Sequence, residues 1–216
     1  MQEGGNMKLE AMNISFQYDN GNRKILNNVS ISLESGERVG LTAPSGFGKT
    51  TFCKILAGYE KPDHGTVVLD GKNISSCAGY NPVQMIWQHP ELSVNPRLKM
   101  REVLREGDAV EERVVRGLGI EPDWLNRYPG ELSGGELQRF CIARALGKRT
   151  RFILADEIST MLDLITQSQI WGFLLEEAKT GRPDDLYVEG LKMGRPSRMD
   201  LREENERWMS GNYWSR

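Results

Sequence analysis

The chain has 216 residues, with 28 Lys and Arg against 30 Asp and Glu and a formal net charge of −2. That length suits one α/β domain with a small inserted subdomain, and balanced charge lacks the basic footprint of a nucleic-acid binder. Cys53, Cys77 and Cys141 have no metal-ligand spacing, and no apolar run of about 20 residues or basic-then-apolar leader occurs, which predicts a soluble protein with reduced packing thiols.

In chain order, Leu9 to Tyr18 and Val29 to Leu33 alternate apolar and polar residues, and Thr66 to Leu69 runs into Asp70-Gly71. They read as strands of an antiparallel β layer. Between the last two, Arg38 to Thr42 reads as a short strand. It enters Ala43-Pro44-Ser45-Gly46-Phe47-Gly48-Lys49-Thr50-Thr51, followed by an apolar helix through Leu56. Strand, glycine-rich loop and helix form the context of a phosphate-binding P-loop. Backbone N–H groups from about Gly46 to Thr50 can cradle phosphates, Lys49 neutralises their charge, and the Thr50 hydroxyl can bind Mg²⁺. Ser45, Phe47 and Thr51 complete the nucleotide-binding stretch. Ala43 stands where the motif opens on glycine, and its methyl group strains the turn if that position needs a glycine-only angle. A chance glycine-rich loop is the alternative.

Val83 to Trp87 is apolar and closes on Gln88, whose amide can reach Mg²⁺ or an attacking water; a lone glutamine is more often surface. From Arg97 to about Ile120 the pattern is helical and charged, with Val103, Leu104, Val110, Val114, Val115 and Leu118 as its apolar positions. It reads as part of an inserted helical subdomain spanning about 90–145. Next comes Leu132-Ser133-Gly134-Gly135-Glu136-Leu137-Gln138-Arg139. Leu137, Phe140, Cys141 and Ala145 recur at helical spacing, so the two glycines sit where the helix begins. Unpaired N–H groups and partial positive charge there favour a phosphate, and Ser133 adds a hydroxyl donor. A plain capped helix start is the alternative.

Phe152 to Ala155 is a continuous apolar run, as in a parallel strand covered on both faces, and ends in Asp156-Glu157. Ligands gather at the carboxyl ends of such strands. Asp156 can hold Mg²⁺ and Glu157 can polarise an attacking water as general base, although an isolated Asp-Glu pair is often a solvated cap. Tyr18 can stack on an adenine ring or serve the core.

Together, in this order, these motifs resemble the ATP-binding subunit of an ABC transporter, over roughly Leu9 to Lys179. Ala43 to Thr50 resembles Walker A except at its first glycine, and Leu132 to Arg139 resembles the family signature, with Ser133, Gly134, Gly135 and Glu136 at its centre. Phe152 to Glu157 resembles Walker B, Gln88 the Q-loop, Leu162-Asp163 the D-loop end, and Tyr18 the adenine-stacking residue. Gln88 to Arg97 and Asp156 to Asp163 also resemble the dipeptide, oligopeptide and nickel importers, with Ile158 where most relatives have proline.

The resemblance implies a P-loop NTPase of ABC type: a mainly parallel core sheet, an antiparallel β layer and an inserted helical subdomain. It implies ATP and Mg²⁺ as cofactors, Glu157 and Gln88 in catalysis, and Thr50, Gln88 and Asp156 around the metal. It further implies a dimer with a second ATP-binding subunit, each ATP lying between one P-loop and the other subunit's Ser133-Gly134-Gly135. Permease subunits would hold the dimer at the inner face of the cell membrane, with a peptide or nickel-like cargo.

The family places one more buried strand after the helix read here at about Asp163 to Lys179, followed by a histidine that contacts the γ-phosphate. The two histidines of this chain, His64 and His89, both lie far upstream. The composition changes from Thr180, so residues 1–179 are expected to form the ATP-binding domain, with the last core strand missing. Residues 180–216 are expected to be an atypical tail, disordered or read from a shifted frame. A nucleotide-binding but hydrolysis-poor remnant or regulatory module is the alternative function.

Overall fold

The computed structural model describes residues 7–18, 24–34, 37, 39–42, 46–156, 158, 162–179 and 197–200. Ala43, Pro44, Ser45, Glu157 and the expected tail apart from Ser197–Asp200 lie outside the described residues. The chain divides into two compact units, Met1–Gly79 with Leu186–Arg216, and Tyr80–Asp185.

In the first unit, β1 (Lys8–Phe16) pairs antiparallel with β2 (Leu26–Glu34) on one side. On its other side lies β4 (His64–Leu69), which also pairs with β5 (Lys72–Asn73). The apolar alternation changes phase within β1: Leu9 and Ala11 are buried, then Ile14 and Phe16. The extra residue is Asn13, at φ +56°, and β2 has a matching irregularity at Asn28, φ +57°. Such a bulge resets which face each side chain takes. The Ser30 hydroxyl accepts from Asn13 N–H at 2.8 Å, and the Ser15 hydroxyl accepts from Asn28 N–H at 2.9 Å, so two serines supply acceptors at the bulges. Burial of Leu9, Ile14, Leu26, Val29 and Leu33 holds the layer, at roughly 1.5–3 kcal/mol each. Asp70 and Gly71, both at positive φ, make the tight turn between β4 and β5.

Also in this unit, β3 (Val39–Thr42) precedes the loop that leads into α1 (Lys49–Leu56). The C-terminal segment contributes β8 (Ser197–Asp200), which pairs parallel with β3 from Val39↔Ser197 to Thr42↔Asp200. This four-residue strand was not foreseen, because its partner is distant in sequence and its composition carries no apolar run.

The second unit is built on β6 (Val83–Ile86) and β7 (Phe152–Ala155), paired parallel from Val83↔Phe152 to Ile86↔Ala155. All four β7 residues are fully buried, as their unbroken apolar run predicts. Its helices are α2 (Met100–Arg105), α3 (Glu112–Gly117), α4 (Gly134–Ala145) and α5 (Leu164–Lys179). The charged stretch read as helical from Arg97 to Ile120 is therefore two six-residue helices. Backbone geometry breaks it: Ala109 takes φ +48°, and a Cβ on Gly107 would lie 2.7 Å from the Arg144 carbonyl oxygen. The break is fastened by Lys148 N–H to Asp108 O at 2.8 Å and Arg149 to the Asp108 carboxylate at 2.7 Å. Of the three free cysteines, Cys53 and Cys141 are buried, whereas Cys77 is exposed and not a packing residue. Among the described residues, no helix is long and apolar enough to cross a membrane.

Candidate functional site

The loop before α1 is shaped by glycine. Gly46 and Gly48 take φ +78° and +90°, where an L side chain is strained. A Cβ on Gly48 would lie 2.8 Å from Ile25 Cγ2, whereas one on Gly46 would meet none of the described residues within 4 Å. Gly48 N-caps α1, and no side chain caps that start. A short helix opening with uncapped N–H groups beyond two left-handed glycines fits a phosphate, the group expected here. Gly48→Ala combines strain with a close contact and is expected to cost about 1–3 kcal/mol, read as a lower melting temperature.

Phe47, just before the cap, and Lys49, which opens the helix, are half-buried and Thr50 is exposed, but Thr51 is buried. The Thr51 hydroxyl shares a 3.1 Å hydrogen bond with the Tyr18 hydroxyl. Tyr18 is 44% exposed, and its ring packs edge-on against Phe16, with centroids 4.9 Å apart. Tyr18 is thus tied to the P-loop helix while much of its ring stays open, as a stacking residue requires. Sequence reading placed both residues near the nucleotide but missed the bond between them, since no spacing rule joins positions 18 and 51.

In the second unit, the parallel pairing brings Gln88 and Asp156 to the carboxyl ends of neighbouring strands. Asp156 N–H donates to Ile86 O at 3.0 Å directly beyond β7. Its side chain is 7% exposed. This is the strand-end placement expected of groups that meet a ligand.

Ser133 N-caps α4 in a reciprocal capping box. Ser133 N–H donates to Glu136 Oε2 at 2.7 Å, and Glu136 N–H donates to Ser133 Oγ at 3.3 Å. Acting there as an acceptor, Ser133 keeps its own hydroxyl hydrogen for another group. The carboxylate of Glu136 is turned back onto its own helix. A plain cap accounts for Ser133 and Glu136 but not for Gly134, which is exposed and where a Cβ would meet nothing within 4 Å. Nothing inside the described chain demands a glycine there, so the space fits an outside group. A Cβ on Gly135 would sit 3.6 Å from Leu162 and 3.7 Å from Thr166, which places this helix start beside the beginning of α5.

Asp163 caps α5, a role signalled by Asp followed three residues later by Thr but not read from the sequence. Its carboxylate accepts from Thr166 N–H at 2.9 Å, Ile165 N–H at 3.0 Å and the Thr166 hydroxyl at 2.7 Å. The bonds from Thr166 chiefly hold the acid below its ordinary value of 3.8. With a depressed folded value, the cap stabilises fully above the ordinary range and loses its effect as pH falls through the lowered value. Asp163→Ala is expected to be less stable than the parent at neutral pH, with the deficit shrinking in acid unfolding below that range.

The sequence model of the ABC transporter family matches residues 26–160. An oligopeptide transport ATP-binding protein of Streptococcus mutans is 34% identical over 192 residues, covering 79% of this chain and 62% of that protein. The chain therefore spans less than two thirds of the length of that relative. A nickel import ATP-binding protein of Shigella boydii is 32% identical over 187 residues, covering 75% of this chain and 70% of that protein. Among solved structures, the dimeric structure of a bacterial ABC transporter cassette aligns with a TM-score of 0.71 at 26% identity, over 85% of this chain and 88% of that one.

Proposed function

Because this chain belongs to the ABC transporter family, we propose that it is an ATP-binding and ATP-hydrolysing subunit that powers solute import through membrane permease subunits. The observation that carries the proposal is the coexistence of two distinct glycine-built helix starts, before α1 and at α4, the second with open space at Gly134. A peptide or nickel-like solute is the cargo in this reading, supported by the likeness to oligopeptide and nickel import subunits. The protein would then lie on the cytoplasmic side of the cell membrane, held there by the permeases.

Each residue has a defined task. Backbone N–H groups of Gly46, Gly48 and the first turn of α1, with Ser45, orient the phosphates, and Lys49 offsets their charge. Tyr18, steadied by Thr51, stacks on the base. Thr50 in the first unit, and Gln88 and Asp156 in the second, are each oxygen donors of the kind that hold Mg²⁺, which when bound neutralises phosphate charge. Glu157 takes the proton of the attacking water as general base. Ser133 and the Gly134-Gly135 backbone offer donors to a nucleotide held by a second ATP-binding subunit.

Steady-state ATP hydrolysis tests the proposal. Glu157→Gln is expected to lower kcat by roughly 100-fold or more, the usual scale of a positioned general base. Equal rates for parent and variant would contradict ATP hydrolysis by this chain. That outcome would favour a nucleotide-binding, hydrolysis-poor module.

A further inference from the structure

We propose that Gln138 is a positioning residue for the Ser133-Gly134-Gly135 start: its buried carboxamide, unpartnered among the described residues, gains a hydrogen-bond partner when that start closes on a nucleotide held by a second copy of the chain. The inference rests on the function proposed above. Gln138 is 2% exposed, and among the described residues neither its Nε2 nor its Oε1 has a hydrogen-bond partner. Buried polar groups are normally paired, and an orphaned one raises the energy of the arrangement that strands it. Other buried polar side chains of this fold obey the rule: Thr51 bonds Tyr18, Thr150 donates to Ala145 O, and Glu177 accepts from Arg113.

Position gives the exception its meaning. Gln138 lies four residues beyond Gly134, on the same side of α4 and one turn inward. From the next residue onward the helix is tied down. Arg139 donates to Gln169 at 2.8 Å, and Arg144 donates to Ser93 O at 2.8 Å and to Glu106 at 3.1 Å. Ser133 and Gly134 at the other end are exposed. The unpaired amide therefore stands at the boundary between the fastened body of the helix and its open start. A small displacement of the start is the change that can give it a partner, and pairing the amide then favours the closed arrangement. An apolar side chain would remove both the penalty in the single chain and the gain on closure.

The test compares Gln138→Met and Gln138→Leu in a Glu157→Gln background that retains ATP. Melting temperature without nucleotide is expected to rise by about 2–4 °C, as relief of one buried unsatisfied group does in a chain this size. The dissociation constant of the ATP-dependent dimer, measured by sedimentation, is expected to increase about tenfold or more, with ATP binding to the monomer unchanged. A lower melting temperature in both variants, or an unchanged dimer constant, would overturn the inference. If the background chain itself forms no dimer with ATP, the proposed function fails and takes the inference with it; a dimer indifferent to Gln138 overturns the inference alone.

Discussion

Gly134→Asp is expected to reduce ATP turnover roughly 100-fold or more while leaving the melting temperature of the chain unchanged or slightly higher. The two effects separate because the carboxylate meets different surroundings in the single chain and in the assembled site. Among the described residues a Cβ at this position meets nothing within 4 Å, so the substitution creates no clash with them. An acid in the first turn also complements the helix dipole, worth about 0.3–1 kcal/mol. Toward an incoming phosphate the same acid fills the open space and opposes its charge, and loss of one well-aimed donor group alone costs about 100- to 1000-fold in rate. Steady-state hydrolysis and thermal unfolding of the same preparation check the pair. A variant that unfolds early would mean that Gly134 serves the fold.

Lys49→Ala is expected to weaken ATP binding by roughly 100-fold with little loss of stability. Lys49 is the first residue of α1, after a cap that no side chain satisfies, and is half-buried beside the glycine cradle. Charge-assisted hydrogen bonds are worth about 1.5–3 kcal/mol, and the upper end of that range corresponds to about 100-fold in affinity. Titration with a fluorescent ATP analogue reads the effect directly. Because α1 packs through Phe52, Cys53, Ile55 and Leu56, which the substitution leaves in place, the helix itself is expected to survive.

Much of the site was legible because its residues act through local backbone geometry. Glycines before a lysine and two threonines announced the helix start at Lys49, and Ser-Gly-Gly before helical apolar spacing announced the one at Gly134. An unbroken apolar run announced the fully buried β7. What was hidden depends on partners far away in the chain. The phase change at Asn13 relies on Ser30, and the division of the 97–120 stretch relies on the approach of Gly107 to Arg144. The strand Ser197–Asp200 relies on β3, more than 150 residues earlier. Composition could not reveal that Glu136 spends its carboxylate on Ser133, or that Gln138 is buried without a partner among the described residues.

The central claim is that the Gly134 helix start serves a nucleotide bound by another subunit, and mixing two inactive variants tests it. Lys49→Ala removes the P-loop charge and Gly134→Asp blocks the helix start, so homodimers of either variant have no intact site. A mixed dimer in which these elements work across subunits has one intact site of two. ATP hydrolysis of an equimolar mixture is then expected to recover to about a quarter of the parent rate, since about half the dimers are mixed in random two-fold pairing. Activity that stays at the level of the separate variants would contradict the account.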